Sequence, residues 1–389
     1  MSERSLAPRL ASPVAGKLIA CLFVVSLFCL APSGLRLVSS AQATEPVDAC
    51  GIADAGGANN IFTAYSTFGI NYFNFCGDST SDGMGLYQDG VNSESPGQVA
   101  SWYTTAPAGL VITNAVALTT VGAKDVGTGY EAYFYWTGGS QRVTSANGAF
   151  ASAIPNAPTF GWLLECNPSG TTCPPDGGPP KTVPAASIEV YDVQLTVAET
   201  VNPSVTAVGA NNLWYKGASE YVRGGGWSVA YNSSAPSGIA GMAASEDGQP
   251  ISDPTAPAPG CPNPNHTVWQ QCPGTQTWSP TIALSGNGPQ PLTLAAQSAA
   301  GNNSSPTETI HVDSVQPTVS LTGPSSASSS AGPQYVTATA TVGGSGLGAI
   351  SCSVDGGPQQ SYTSSPAQVP VSGLGSHSVE CTASNRSFS

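Results

Sequence analysis

Charge is scarce in this 389-residue sequence: Asp, Glu, Lys and Arg make up 8% of it, against about 25% in an ordinary soluble domain. Cations are scarcest, with 10 Lys and Arg set against 23 Asp and Glu. Nucleic-acid binding driven by counterion release from phosphates needs a basic surface, and so does attraction to anionic membranes; both are excluded. Histidine is rarer still. His266, His311 and His377 are the three present, and no G-x-S-x-G nucleophile turn follows the leader, so a Ser-His-Asp hydrolase is not expected. The longest apolar run, Leu18 to Leu30, holds 13 residues, short of the roughly 20 that span a bilayer. No cysteine spacing of the zinc-binding kind occurs, and no segment carries a sustained helical apolar period.

The first 43 residues read as a secretory signal peptide. Arg4, Arg9 and Lys17 precede the apolar run, and Ala41-Gln42-Ala43 supplies a small-residue cleavage site. Removing them leaves six basic against 22 acidic residues, a net charge of −16. Neutral ligands, cations and other proteins remain as partners; nucleic acid does not, nor does a membrane once the leader is cleaved, and the oligomeric state is not encoded in any motif. Eight cysteines persist, Cys50, Cys76, Cys166, Cys173, Cys261, Cys272, Cys352 and Cys381, and an even count in an exported chain implies disulfides. They fall into four sequential couples, so 50–76, 166–173, 261–272 and 352–381 is the economical pairing.

Gly and Pro, 45 and 33 in number, suit many short strands joined by turns. The organisation is marked by an internal repeat: Glu199-Thr-Val-Asn-Pro-Ser-Val205 matches Asp313-Ser-Val-Gln-Pro-Thr-Val319 in chemical class, 114 residues on. Each follows an alternating run (187–197 and 307–312) of the kind a half-buried strand gives, and proline cannot continue a central strand. The repeats therefore mark boundaries, giving modules 44–200, 201–314 and 315–389. Inside the second and third, Asp247-Gly-Gln-Pro250 precedes a run ending at Asn302, and Asp355-Gly-Gly-Pro358 one ending at Asn385. The second module thus reads as the third with a Pro-rich insert near 251–275 carrying Cys261 and Cys272.

Ile350-Ser-Cys-Ser-Val-Asp-Gly-Gly-Pro358 and Gly373 to Asn385 (GLGSHSVECTASN) carry a resemblance to the tandem immunoglobulin-like or fibronectin-III-like β-sandwich modules of secreted bacterial surface proteins. It covers about 190 residues and implies architecture, not ligand. Alternation around Cys352 and Cys381 is expected to put them on strands facing each other across the core. Only Arg386-Ser-Phe-Ser389 follow Asn385, so the last sandwich is expected to be truncated, without a closing strand.

Residues 44–200 differ, with aromatic-rich strands predicted at 60–67, 70–75, 98–105, 111–121 and 130–137. Their pattern resembles the jelly-roll domains of lectins, carbohydrate-binding modules and concanavalin-type glucanases, and the chain as a whole is expected to be all-β. Aromatic faces stack on the apolar faces of neutral sugars while their polar tips reach hydroxyls, which makes Tyr87, Trp102, Tyr103, Tyr133, Tyr135 and Trp162 the candidate ligand residues; Trp102 and Trp136 fit the core at least as well. Glycoside hydrolysis needs two carboxyl groups roughly 5–10 Å apart. Glu189 and Asp192 stand three apart, on opposite faces of a strand, and Glu131 and Glu165 read as isolated. Asp78, Asp82 and Asp89 lie in turns that could bind calcium, although Asx-turns explain them equally, and no other cofactor is implied. The expectation is a secreted, non-catalytic protein that binds neutral glycan or a surface protein, with a glycoside hydrolase or a structural spacer as rivals.

Overall fold

A computed structural model of the chain describes residues 44–49, 61–67, 69–74, 76, 83–88, 93–120, 129–143, 148–167, 169, 173, 186–324 and 332–386. The expected all-β architecture of tandem sandwiches is what it contains. Among the described residues the first is formed by β1 (Thr44–Ala49), β2 (Thr63–Ser66), β3 (Ile70–Asn74), β4 (Met84–Gln88), β5 (Val99–Thr105), β6 (Leu110–Thr120), β7 (Tyr130–Trp136), β8 (Gly139–Arg142), β9 (Gly148–Ala157), β10 (Thr159–Cys166) and β11 (Ser187–Glu199). One sheet runs β3-β4-β11-β6-β9, with β1 also paired to β11; the other runs β2-β5-β10-β7-β8. All these pairings are antiparallel.

Alternation builds the core between the two sheets. On β7, Tyr130, Ala132 and Phe134 are buried and the residues between them are not; on β10, Phe160, Trp162, Leu164 and Cys166 point inward. Phe134 stacks on Phe150 from the facing sheet, with ring centroids 4.3 Å apart. The Trp102 indole N–H donates to the Gly85 carbonyl at 3.2 Å, tying the sheets together.

The second sandwich comprises β12 (Ser204–Ala207), β13 (Tyr221–Val222), β14 (Gly225–Ser228), β15 (Tyr231–Ser234), β16 (Ile239–Glu246), β17 (Gln249–Pro250), β18 (Thr275–Trp278), β19 (Thr281–Leu284), β20 (Asn287–Ser298), β21 (Asn303–Ser304) and β22 (Thr307–Asp313), with a 3-10 turn at Leu213–Ser219. Strand order β12-β15-β18 faces β13-β22-β20-β16-β17, and the β13–β22 pairing is parallel. Buried Tyr231 bridges the two sheets, its hydroxyl donating to the carbonyls of Ala243 (2.7 Å) and Ala295 (3.1 Å). The third sandwich repeats the plan on a smaller core: β23 (Thr318–Thr322), β24 (Gln334–Thr341) and β27 (Ala367–Val371) form one sheet; β25 (Leu347–Val354), β26 (Gln360–Tyr362) and β28 (Val379–Asn385) form the other.

Disulfides join Cys166 to Cys173, Cys261 to Cys272 and Cys352 to Cys381. Cys76 is also disulfide-bonded; Cys50, its expected partner, lies outside the described residues. One expectation is corrected. Cys352 and Cys381 do not face each other across the core, because β25 and β28 are hydrogen-bonded neighbours in one sheet and the two cysteines are register partners.

The Pro-rich insert has a place that its sequence does not announce. Its closed loop lies along the free edge of β1, where the His266 carbonyl accepts the Asp48 N–H at 2.7 Å and the Gln271 side-chain amide donates to the Pro46 carbonyl at 2.7 Å. Trp269 packs against the core of the first sandwich. Unpaired edge strands invite unwanted pairing, and covering them is one remedy. Closing a loop of about 15 residues by a disulfide stabilises by about 3 kcal/mol. Replacing Cys261 and Cys272 together by serine is therefore expected to speed hydrogen exchange at the Asp48 amide while β11 stays protected. Unchanged exchange at Asp48 would mean that the insert keeps its place without the bridge.

Candidate functional site

Period-2 geometry sends every second residue of a strand to the opposite face, so the strands that fill the first core also furnish an outer surface. On the five-stranded sheet two rows cross that surface. The first places Tyr65 of β2 opposite Ser101 of β5, then Leu163 of β10, Tyr133 of β7 and Arg142 of β8. The second places Thr63 opposite Tyr103, then Gly161, Tyr135 and Ser140. Tyr65 is 53% exposed; Tyr103, Tyr133 and Tyr135 are half-buried. Four tyrosines thus share one face.

Gly161 lies between Tyr103 and Tyr135. A methyl group there would come within 2.3 Å of the Trp102 carbonyl oxygen and 3.0 Å of Tyr103 Cβ. With no side chain in that place, β10 leaves the space between the Tyr103 and Tyr135 rings open. The Tyr135 phenol is pushed up mainly by burial, against a lowering influence of Ser101.

A third row holds the charge. Glu131 of β7 and Glu165 of β10 are register partners on the same face, so their Cβ atoms lie about 5 Å apart. Arg142 contacts Glu131 at 3.0 Å, the Asn167 amide donates to it at 3.1 Å, and the Tyr133 hydroxyl donates to its other oxygen. That hydrogen bond is the main cause holding the Tyr133 phenol above its ordinary value. Glu165 is pushed above the usual carboxylate range, first by burial and then by the Glu131 charge. The two glutamates that read as isolated in the sequence are neighbours.

The other sequence candidates separate. Trp162 is 0% and Trp102 4% exposed; both belong to the core, and burial removes them from contact with a surface ligand. Tyr87 sits on the other sheet, its ring 6.0 Å from that of Phe73, away from the four tyrosines. Glu189, also on that sheet, is pushed up by burial. Asp78, Asp82 and Asp89 lie outside the described residues; among the described residues no group of three His, Cys, Asp or Glu side chains forms a metal-ligand set. Tyr65 was missed, although it occupies an outward position of a predicted strand.

No protein-family model and no curated protein matches the sequence. Among solved structures, the chain is similar to the fibronectin(III)-like modules of Clostridium thermocellum CbhA, with 18% identity and a TM-score of 0.26 over 48% of this chain and 87% of that one. It is similar to an ICAM-5 D1-D4 ectodomain fragment, with 13% identity and a TM-score of 0.28 over 85% and 84% of the two chains. A β-1,2-glucanase from Parabacteroides distasonis is matched at 12% identity and a TM-score of 0.22, over 65% of this chain and 37% of the enzyme.

The charge row makes a direct prediction. Glu131→Gln is expected to bring the Glu165 pKa down towards the ordinary carboxylate value without reaching it, since burial remains; an NMR titration of the side-chain carboxyl checks this. A Glu165 titration that does not move would show that the carboxylates do not feel one another.

Proposed function

We propose that this is a secreted bacterial surface protein whose jelly-roll-like first module binds neutral carbohydrate on the outer face of the five-stranded sheet. The observation that supports this best is the gathering of Tyr65, Tyr103, Tyr133 and Tyr135 on one face in consecutive rows. Tyrosine offers an apolar ring and a polar tip, and Ser140, Asn167 and Arg142 add donors at the margin. The net charge of −16 after loss of the leader favours uncharged over acidic glycans, because like charge repels. The disulfides fit a life outside the cytosol, and the immunoglobulin-like sandwiches present the first module.

A second reading is favoured by one specific observation, the cross-strand pairing of Glu131 and Glu165. Glycosidases use two carboxyl groups of unequal acidity, and Glu165, with its raised pKa, suits the proton donor, while Glu131, fixed by Arg142, Asn167 and Tyr133, suits the partner carboxylate. In that case the tyrosines hold the sugar rings beside the scissile bond.

A glycan array probed with the full chain, followed by calorimetry on the best neutral oligosaccharide, tests the first reading. Tyr135→Ala is expected to weaken binding about tenfold, corresponding to about 1.4 kcal/mol. Glu165→Gln separates the readings: binding retained with no glycan cleaved by the wild type leaves a binding module, whereas cleavage that Glu165→Gln abolishes makes it a hydrolase. An array without any neutral-glycan signal refutes the proposal.

A further inference from the structure

The two sequence repeats acquire a common structural meaning at the joints between sandwiches. At the first joint, Glu199 closes β11 and is 1% exposed. Its Oε1 accepts the Ser237 N–H at 2.8 Å and the Ser237 hydroxyl at 2.7 Å. The Asn302 amide donates to the backbone carbonyls of Glu199 (3.2 Å) and Val201 (2.9 Å). At the second joint, Asp313 closes β22 and is 1% exposed. Its Oδ2 accepts the Ser345 N–H at 3.0 Å, the Ser345 hydroxyl, and the Asn385 amide at 3.1 Å. Asn385 also donates to the Val315 carbonyl at 3.2 Å.

The donors are equivalent as well. Ser237 and Ser345 each precede a glycine with positive φ, Gly238 at 93° and Gly346 at 78°. Each glycine N–H bonds the carbonyl three residues back, Ala235 or Gly343, at 3.1 Å. The serine therefore occupies the same position of the same turn leading into β16 and β25. Asn302 and Asn385 end the corresponding runs that follow β20 and complete β28. Every one of these donors belongs to the sandwich after the acid. Gly343 adds a steric detail, since a methyl group on it would come within 2.1 Å of Asp313 Oδ1.

We infer that consecutive sandwiches of this chain are fastened by one repeated plug-and-socket interface. The plug is the acid that ends a sandwich, together with the carbonyl of the valine two residues on; the socket is the Ser-Gly turn and the asparagine of the next sandwich. The partner this socket fits is a β-sandwich ending in acid-x-Val-x-Pro. The fastening fixes each sandwich against its predecessor and takes the place of a flexible linker. The joints differ in two respects: the Asn302 amide meets the backbone carbonyl of its acid whereas the Asn385 amide meets the side-chain Oδ2 of its own, and the two carboxylates are used differently. Glu199 uses Oε1 for the socket while Oε2 is buried without a partner, whereas both oxygens of Asp313 accept, Oδ1 taking the Val315 N–H at 3.1 Å. An amide in place of the carboxylate thus retains the Oε1 contacts at 199 and sets donor against donor at 313.

Thermolysin digestion of the full-length chain, with small-angle scattering in parallel, tests this. Cleavage of a transiently opened segment tracks how often it opens. Buried donors left unpaired make opening easier. Asp313→Ala and Asp313→Asn are expected to raise cleavage within 313–319 about tenfold, and Glu199→Ala to do the same within 199–205; Glu199→Gln is expected to stay within about twofold of the wild type. Scattering from both alanine variants is expected to show a wider spread of inter-sandwich distances. Wild-type cleavage rates and scattering in both alanine variants overturn the proposal. So does new cleavage inside the sandwiches in place of the joints, since the acids then support folding of a sandwich and not its attachment.

Discussion

The period of two along a β-strand is the constraint on which both the first core and its outer face depend. In β5, β7 and β10 the same backbone path commits alternate residues to opposite surroundings. Phe134, Phe160 and Trp162 go inward, and Tyr103, Tyr133 and Tyr135 go outward. A one-residue slip in register would exchange the two sets, burying glutamate and tyrosine hydroxyls and exposing indoles. The core therefore fixes the surface: the burial of Trp162 under the sheet is what places Gly161 and Leu163 on top of it. The aromatic richness of the first module serves both sides.

The outer face of the five-stranded sheet also carries an electrostatic arrangement that stability alone does not favour. Glu165 is partly buried beside another carboxylate, and both effects disfavour its charge. Because its folded pKa is raised, Glu165 contributes least to folding when ionised and more as pH falls through the folded value. Repelling carboxyl groups of this kind cluster where groups are arranged for chemistry or recognition, and stability is commonly given up at such sites.

Much of this was legible in the sequence. The strands predicted at 98–105, 111–121 and 130–137 are β5, β6 and β7 to within a residue or so at either end, because alternation and flanking turns are local signals. The disulfide couples at 166–173, 261–272 and 352–381 followed from spacing. What failed was long-range. The strand at Thr159–Cys166 has apolar residues on both faces and did not announce itself, yet it is the central strand that brings Glu165 to Glu131 and Gly161 between two tyrosines. The neighbourhood of β25 and β28 in one sheet was hidden for the same reason, since alternation gives the faces of a strand and not its partners. The repeated acids were visible as a pattern, whereas the serine and asparagine that receive them are separated from them by tens of residues.

The insert along β1 bears on how the protein is made. β1 finds its ladder partner only when residues 193–198 have emerged, and among the described residues it is 266 and 271 that cover its other edge. Chains are synthesised from the amino terminus and tend to fold domain by domain as they appear. Here the leading strand must wait for some 150 residues before it can pair, and for about 70 more before it is sheltered. Nascent chains in that interval present an unshielded ribbon to their neighbours, so escort by a holding factor during synthesis would matter most for this segment.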